Sequence, residues 1–250
     1  AVTALGASAE ETFDALCSGR SAVGPVRGFD ASIFACPAAA QAAGLDAASL
    51  GVAPRDARTM GFHSFALLAV ARSLHAAARL DDPAVPRERI GFFTGMGMVD
   101  CEPADLLPAA LRSRGQEGAL DYDKFYNAEF QHMHPLWPLS MLNNMALAQA
   151  AIDLDIRGDN STFSPFGESG ALALREAERS AAEGSALAAL AAGVSEKVSP
   201  QSMARHQCLA VLSPSGRPAP FGSGRDGAVP GEAAAGVVFE TAQSAAARGL

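Results

Sequence analysis

The sequence predicts an α/β fold built on a mixed sheet, and three observations lead to that prediction. Short apolar segments typical of buried strands alternate along the chain with longer segments of helical periodicity. Apolar residues make up 49% of the 250 residues and charged residues only 18%, which is enough apolar material for a large core. No internal repeat and no long linker divides the chain. We therefore expect one domain over residues 1–250.

The first third of the chain predicts two helices separated by a long irregular segment. Residues 10–18 place their apolar side chains on one helical face and are closed by a glycine. Residues 20–54 are rich in Gly, Pro and Ala with weak periodicity, so we expect a loop with short pieces of structure. Apolar residues recur at spacings of three and four through residues 55–80, which predicts a long helix.

The rest of the chain alternates between predicted strands and helices. Residues 89–95 indicate a buried strand that enters a Gly-rich turn. Residues 101–130 are polar with several possible helical turns, and prolines prevent a regular helix through residues 134–138. The segments that follow are a helix over 140–153, a strand over 160–166, a helix over 169–183, a strand over 186–194, a Pro/Gly-rich loop over 213–232, a strand over 235–240 and a helix from 242. Periodicity alone would also allow a helix over 186–194.

Composition and charge argue against several classes of function. The net charge of −8 lacks the basic footprint of a nucleic-acid-binding protein. No apolar run approaches the roughly 18 residues of a membrane span, and the first residues do not resemble a signal peptide. The 4 cysteines are widely spaced with no CxxC, which argues against a disulfide framework or a zinc ribbon. We expect a cytoplasmic protein with reduced cysteines.

Two motifs resemble cofactor sites, and a simpler interpretation is favoured for each. Residues 95–100 look like the start of a dinucleotide-binding turn, but Asp100 stands where the third glycine belongs, and its carboxylate would repel a pyrophosphate. His132 and His134 could bind a metal ion, but no further ligand lies nearby in the sequence and structural zinc needs four. We interpret the first motif as a tight turn and the histidines as polar surface, and we expect no cofactor and no metal.

The segment Gly-Glu-Ser-Gly-Ala at residues 167–171 lies between a predicted strand and a predicted helix, which is the setting of a nucleophile elbow. Ser169 would then be a hydrolase nucleophile, with backbone N–H groups forming an oxyanion hole. Ala171 departs from the glycine of that motif, and His206 is the only histidine after Ser169. A glycine turn with Ser169 as the helix cap is the alternative.

Cys17 and Cys208 lie in apolar surroundings along the sequence. Cys17 falls on the apolar face of the first predicted helix, and Cys208 precedes Leu209 and Val211. Neither has a histidine at a helical spacing that would activate its thiol. We expect both side chains to be buried in the core.

A series of short motifs, taken in order, carries a family resemblance. They occupy residues 1–6, 11–16 with 19–21, 89–97, 134–145 with 156–158, and 224–227 with 231–232. Their order and spacing over nearly all 250 residues are similar to the N-terminal half of a β-ketoacyl synthase, a member of the thiolase superfamily. The resemblance implies a thiolase-like α/β fold, in which a mixed five-stranded sheet carries helices on both faces in an α/β/α layer arrangement.

The resemblance also indicates where this chain departs from the family. In the family, the nucleophile stands in a run such as Ala-Cys-x-Ser-Gly at a strand-to-helix turn, where the helix N-terminus lowers the pKa of the thiol. Here the run is Phe166, Gly167, Glu168, Ser169 and Gly170. Gly167 takes the cysteine position and has no side chain to acylate, while Glu168 adds a negative charge that would oppose a thiolate. We therefore assign no catalytic residue to this degenerate position.

Two further departures concern the later part of the chain. The histidines with which the family decarboxylates the malonyl unit belong to its C-terminal half, so no residue here is assigned to them. Ala233 and Ala235 replace the usual glycines after Glu232, which would stiffen that loop.

One branch of the resembled family, the chain-length factors, lacks the nucleophile and pairs with an active ketosynthase in a heterodimer. That branch often has glutamine at the position of Gly167. The resemblance implies a cysteine-containing ketosynthase partner, acyl carrier protein as the carrier, and a role in shaping the acyl tunnel in fatty-acid or polyketide elongation. The residues implied to line the tunnel are Leu136, Trp137, Met141, Leu142 and Phe163. Ordinary core or interface packing is the alternative for each of them.

Two other functions remain open. The chain could be a stand-alone enzyme, either a malonyl-thioester decarboxylase or an acyltransferase that uses a group other than cysteine, with Ser169 and His206 as the residues to test. A scaffold for acyl carrier protein is the second. Carrier proteins are acidic like this chain, so such a scaffold needs a local basic patch, for which Arg55, Arg58 and Arg72 are the candidates. A solvated helix face is the alternative interpretation of those arginines.

Overall fold

The computed structural model describes residues 1–164 and 166–249. Its strands are β1 (Val2–Thr3), β2 (Gly24–Pro25), β3 (Ala38–Ala39), β4 (Ile90–Met96), β5 (Asn160–Phe163), β6 (Ala188–Val194) and β7 (Ala233–Glu240). Its α-helices are α1 (Ala9–Cys17), α2 (Pro54–Ala57), α3 (Phe62–Ala77), α4 (Pro103–Arg112), α5 (Tyr122–Lys124), α6 (Asn143–Asp153), α7 (Ser169–Ala182), α8 (Pro200–Cys208) and α9 (Ala242–Ala247). Tighter 3-10 turns occupy Arg87–Arg89, Phe130–His132 and Trp137–Met141, and a wider π turn occupies Phe125–Glu129.

Five strands form one mixed sheet in the order β1-β7-β6-β4-β5. Strand β4 runs parallel to both β5 and β6, with Phe92 opposite Leu190 in the register. Strand β7 runs antiparallel to β6 and to β1, so the sheet is parallel on one side and antiparallel on the other. The predicted α/β class with a mixed five-stranded sheet is therefore confirmed. Strands β2 and β3 form a separate antiparallel ribbon.

The central strands send alternate side chains to two apolar layers, because successive side chains of a strand point to opposite faces. In β4, Ile90, Phe92 and Met96 pack on the face covered by α3 and α6. Phe93 packs on the other face with the alanines of α7. Strand β6 follows the same alternation, with Leu190 on the first face and Ala191 on the second. Helices therefore cover both faces of the sheet, as expected.

Two predicted helices differ from the structure: one is divided in two, and the other begins later in the chain. The helix predicted over residues 55–80 is two helices, α2 and α3, because the chain is extended at Gly61, the residue before α3. A glycine inside a helix costs about 1 kcal/mol relative to alanine, which favours a break there. The helix predicted from residue 140 begins instead at Asn143, after the 3-10 turn that contains Pro138.

The strand predicted over residues 160–166 ends at Phe163, and Pro165 lies outside the described residues. Residues 188–194 form a strand, so the helical alternative for that segment is wrong. The expected loop at residues 20–54 contains the two-residue strands β2 and β3.

Helix α8 was not expected from the sequence, because its composition is polar. Its first turn is held by a capping box in which the Ser199 hydroxyl accepts the Ser202 N–H at 3.0 Å and the Ser202 side chain accepts the Ser199 N–H. Met203 anchors the helix by packing, fully buried, against Cys36. A single buried apolar contact on a polar helix leaves little periodic signal in the sequence.

The prediction that Cys17 and Cys208 are buried is wrong, since both are exposed. The apolar face of α1 on which Cys17 lies points to solvent, with Phe13 65% and Leu16 60% exposed. Apolar periodicity identifies the face of a helix correctly, but it does not say whether that face is covered.

Candidate functional site

The turn at residues 166–168 joins the end of β5 to the start of α7 and lies against the end of β4. The helix starts so close to β4 that a Cβ at Gly95 would lie 2.5 Å from the Cα of Gly170. Only glycine permits that approach of two backbones. The close packing places the first turn of α7 directly beside the carboxyl end of β4, where ligands commonly bind in α/β sheets.

The position that the resemblance assigns to the nucleophile is open. A Cβ built on Gly167 meets no atom within 4 Å. Phe166 and Glu168 on either side are exposed, whereas Ser169 is buried and its N–H donates to the Phe166 carbonyl at 3.0 Å. The turn therefore has room for a side chain at residue 167 and presents none.

A cavity of about 500 Å³, which we call the turn cavity, opens beside this turn. Its lining includes Gly167 from the turn and Ser169 from the start of α7. It also includes Glu196 from the segment after β6 and His206 from α8. The serine and the histidine that the sequence singled out thus face the same space, which sequence spacing alone did not predict.

Ser169, Glu196 and His206 do not form a working triad in this structure. His206 Nε2 lies 4.0 Å from a Glu196 carboxylate oxygen, which is too long for a hydrogen bond. The Nδ1 atom of His206 is buried without a hydrogen-bond partner among the described residues. The chain order Ser169, Glu196, His206 nevertheless matches a serine–acid–histidine arrangement.

Arg205 holds the polar groups behind the turn cavity in place. Its guanidinium donates to both carboxylate oxygens of Asp100, at 2.9 and 3.3 Å, and to Glu196 at 2.9 Å. The hydrogen bond to Asp100 and the weaker one to Glu196 raise the pKa of Arg205, so it remains charged. Asp100 also accepts the Ser199 hydroxyl at 3.2 Å, which ties α8 to the segment after β4. Asp100 is therefore part of an ion-pair network.

The five residues predicted to line a tunnel fall in two places. Leu136 and Leu142, which flank the 3-10 turn before α6, are 51% and 47% exposed. Trp137 packs against the small apolar cluster of α4, and Met141 is half-buried. Phe163, at the end of β5, packs against the α7 face of the sheet. The lining of the turn cavity, as far as the structure describes it, includes none of the five.

The arginines proposed for a docking patch have separate roles. Arg72 makes a bidentate ion pair with Asp153, at 2.6 and 2.8 Å, and donates to the Leu50 carbonyl, so it joins α3 to α6. Arg55 and Arg58 are exposed. Only these two remain as candidates for recognising an acidic partner.

His132 and His134 are both exposed, as the surface interpretation expects. Among residues 1–164 and 166–249, no group of three or more His, Cys, Asp or Glu side chains is arranged to hold a metal ion. No helix in the same part of the chain is long and apolar enough to cross a membrane.

Sequence reasoning overlooked three residues of this region, namely Glu196, Arg205 and His63. Glu196 and Arg205 belong to the segment whose helix went unnoticed, although Ser199 followed by Pro200 is a recognisable helix start. His63 sits inside the apolar pattern of α3, where nothing in the sequence distinguishes it from a core residue.

The comparisons with known proteins agree with this architecture. The family profile described as "Beta-ketoacyl synthase, N-terminal domain" matches residues 1–245. The chain is 27% identical over 254 residues to the 3-oxoacyl-[acyl-carrier-protein] synthase 2 of Synechocystis sp., a match that covers 100% of this chain and 58% of that protein.

Solved structures give the same result. The β-ketoacyl synthase from Burkholderia phymatum STM815 superposes with a TM-score of 0.79 and 25% identity, covering 99% of this chain and 59% of that one. The ishigamide ketosynthase/chain length factor shares the fold, with a TM-score of 0.68 and 21% identity over 97% of this chain and 60% of that one. The chain thus spans less than two thirds of the length of these relatives. Since the family profile covers nearly all of it, this chain belongs to the β-ketoacyl synthase family and corresponds to that family's N-terminal domain.

Proposed function

We propose that this chain is part of a non-catalytic, chain-length-factor-like subunit that pairs with an active ketosynthase and shapes the acyl tunnel. The observation that carries the proposal is Gly167. Condensation by this family requires an acyl group held on a side chain at this turn, and glycine has no atom that can accept it. The turn is otherwise intact, because Gly95 still allows α7 to begin against β4.

The chemistry of the neighbouring residue supports the same proposal. Glu168 is exposed beside residue 167, and its carboxylate would raise the pKa of any thiol placed there. A turn selected to stabilise a thiolate would not carry that charge. The partner would then supply the cysteine and the decarboxylating histidines, and acyl carrier protein would deliver the chain.

The first experiment is a native mass spectrum of the protein purified gently from its host. A one-to-one complex with a cysteine-containing ketosynthase supports the proposal. A stable monomer or homodimer that condenses acyl thioesters by itself contradicts it.

A second experiment tests the tunnel role in that complex. Trp137 is half-buried on the turn before α6, and replacing it by alanine removes a large apolar side chain. We expect Trp137→Ala to change the length of the product at an unchanged rate of condensation, because the packed wall that limits the chain recedes. The control is Phe221→Ala, which removes a fully exposed aromatic ring outside the apolar cluster that contains Trp137.

The position of Ser169, Glu196 and His206 around one cavity favours a second candidate, an acyltransferase or malonyl-thioester decarboxylase that works without a partner. That enzyme would turn over an acyl thioester as the purified protein alone. Ser169→Ala and His206→Ala would then each abolish turnover, whereas the chain-length-factor proposal expects no turnover to lose.

A further inference from the structure

Three exposed aromatic side chains follow the helical segment between α4 and α6. Helix α5, the π turn and the next 3-10 turn are consecutive, so residues 122–132 form one helical run. Tyr122, Tyr126 and Phe130 are spaced four residues apart along this run and share one side of it. They are 67%, 61% and 43% exposed. We call these three side chains the aromatic ridge.

The rings of the aromatic ridge contact one another and are supported by a buried ring. Tyr122 and Tyr126 stack with their planes 16° apart and their centroids 6.5 Å apart, and the centroid of Phe130 lies 5.9 Å from that of Tyr126. Phe125 is buried in the apolar cluster of α4, and its ring meets Tyr126 edge-on at a centroid distance of 5.1 Å. The rings are therefore ordered in advance, so they lose little conformational entropy when a partner binds.

The side chains next to Tyr122 are negatively charged. Asp121 and Asp123 flank it in the sequence, and both are exposed. Among the described residues, the only ion pair that involves residues 115–132 joins Glu129 to Arg112, so neither aspartate is paired with a cation. A positive charge that approaches Tyr122 would therefore meet two unpaired carboxylates.

Two cations of the same segment are placed elsewhere. Lys124 lies two residues from each tyrosine, so it projects from another side of the helical run. Arg114 precedes the run, and its guanidinium donates to the Gly118 carbonyl at 3.4 Å. The aromatic ridge itself thus presents aromatic rings beside carboxylates.

This combination selects the charge of what can bind. The flat side of an aromatic ring carries negative potential, so the rings and the carboxylates both repel an anion. A wholly apolar partner would bury the carboxylates without a counterpart, which is unfavourable. A cation is attracted to a ring within about 6 Å of its centroid. Because the centroids of Tyr122 and Tyr126 are 6.5 Å apart, one cation can lie within that distance of both.

Among cationic side chains, arginine fits the aromatic ridge best. Its guanidinium is planar, stacks on aromatic rings and offers several N–H donors to a carboxylate, whereas the ammonium of lysine is a strongly hydrated point charge. Exposed apolar patches are typical of sites where proteins associate. We propose that the aromatic ridge docks a segment of a protein partner through an exposed arginine, whose guanidinium stacks on Tyr122 and Tyr126 and forms an ion pair with Asp123. This inference does not depend on the proposed function.

The test is fluorine NMR of the full-length protein, together with any subunit that accompanies it, labelled with fluorotyrosine. Tyr122→Phe and Tyr126→Phe assign the two resonances by their loss. The probes are acetylated Gly-X-Gly amides in which X is arginine, lysine or citrulline, the neutral isostere of arginine. We expect the arginine peptide to shift both resonances and to bind about tenfold more tightly than the citrulline peptide and about threefold more tightly than the lysine peptide. Equal affinity for citrulline would overturn recognition of a cation, and equal affinity for lysine would overturn the choice of arginine.

Substitutions in the aromatic ridge and beside it locate the site. Tyr122→Leu and Asp123→Asn are each expected to weaken binding of the arginine peptide about threefold, read at the Tyr126 resonance, because one ring contact or one charge is lost. Asp123→Asn should not weaken binding of the citrulline peptide, which has no charge to pair. Both replaced side chains are exposed, so we expect both variants to fold.

The matched control is Phe13→Leu in α1. Phe13 is 65% exposed on a helix and is followed by an exposed aspartate, Asp14, so the substitution removes a similar ring from a similar setting. The affinity for the arginine peptide should stay unchanged in this variant. Equal weakening in Phe13→Leu and Tyr122→Leu would overturn the inference, and so would unchanged affinity in both Tyr122→Leu and Asp123→Asn.

Discussion

At the scale of one residue, the proposed function depends on Gly167. The resemblance places Gly167 at the position of the family's nucleophile, and the structure leaves that position open enough for a side chain. The loss of catalysis that we propose therefore needs no rearrangement of the backbone, and the same position can be given a thiol again.

We expect Gly167→Cys to fold with unchanged stability, since the added Cβ meets no atom within 4 Å. We also expect the new thiol to have a lower pKa in Gly167→Cys/Glu168→Gln than in Gly167→Cys, by about 0.5 to 1, because removing a nearby carboxylate favours the thiolate. The measurement is the pH dependence of alkylation at residue 167 by peptide mass spectrometry. The same measurement on the parent protein gives the alkylation of the exposed Cys17 and Cys208. Equal pKa values in the two variants would show that Glu168 does not act on this position.

The buried His63 side chain makes the stability of the protein depend on pH. Burial lowers the pKa of His63 from 6.5 to about 4. The positive charge of Lys197 acts in the same direction, and the carboxylates of Asp100, Glu196 and Glu102 partly oppose it. The unfolded chain therefore binds more protons than the folded protein between these values, so stability falls as the pH is lowered from 6.5 towards 4.

We expect the wild-type protein to lose about 2 kcal/mol more than His63→Gln between about pH 7 and pH 5. The difference between the two proteins isolates His63, because other titrating groups are common to both. Urea unfolding at each pH gives the free energies of unfolding. The same slope in both proteins would mean that the pKa of His63 is the same in the folded and unfolded states.

At the scale of elements, the contact between β4 and α7 shapes the site. The backbone of Gly95 lies beside the start of α7, while the neighbouring Gly193 of β6 has more space, with a built Cβ 4.0 Å from the nearest atom, the Gly95 carbonyl oxygen. The two glycines are register partners in the parallel pair β4–β6. Substituting each of these two glycines by alanine tests which of them the fold requires.

We expect Gly95→Ala to lower the free energy of unfolding by about 1 to 3 kcal/mol, because its methyl group must displace the start of α7. Gly193→Ala should change it by less than about 0.5 kcal/mol, since an ordinary van der Waals contact results. Denaturant unfolding measures both. Equal losses would mean that the position of α7 does not depend on its close approach to β4.

At the scale of the whole molecule, apolar side chains remain exposed on both sides of the buried face of α7. Alanines of α7 pack on Phe93 and the sheet, but Leu172 and Leu174 remain 39% and 43% exposed, and Phe166 beside the helix is 69% exposed. A partner that packs around α7 would cover these side chains. Their exposure is consistent with the assembly that the proposed function requires.

We expect Leu172→Gln/Leu174→Gln to weaken the proposed complex with the ketosynthase by about tenfold or more, since apolar area is lost from the interface. The free energy of unfolding of the isolated chain should change little, because both side chains are exposed. Glu178→Gln is the control, as it changes an exposed residue of the same helix without removing apolar surface. Analytical ultracentrifugation measures the affinity, and equal affinity of all three proteins would place the interface elsewhere.

Local pattern was sufficient for much of the fold. Short apolar runs predicted buried strands at β4 and β6, with a helix left open for β6, and the pattern of α7 predicted a helix that ends before Gly184. Helix α8 was not predicted because its buried apolar residue, Met203, belongs to a cluster with residues that are distant in sequence, such as Cys36. The exposure of Cys17 was not predicted, because periodicity identifies the apolar face of a helix but does not show whether other residues pack against it.

By itself, the sequence determined the α/β class, the motif order of the family and the absence of a side chain at residue 167, because each depends on residue types along the chain. Only the tertiary structure decided which groups meet. Ser169, Glu196 and His206 line one cavity, and the first residues of α3, α4 and α8 line another, because the sheet brings the ends of separate segments together. Such encounters depend on distances across the fold, which spacing along a sequence does not contain.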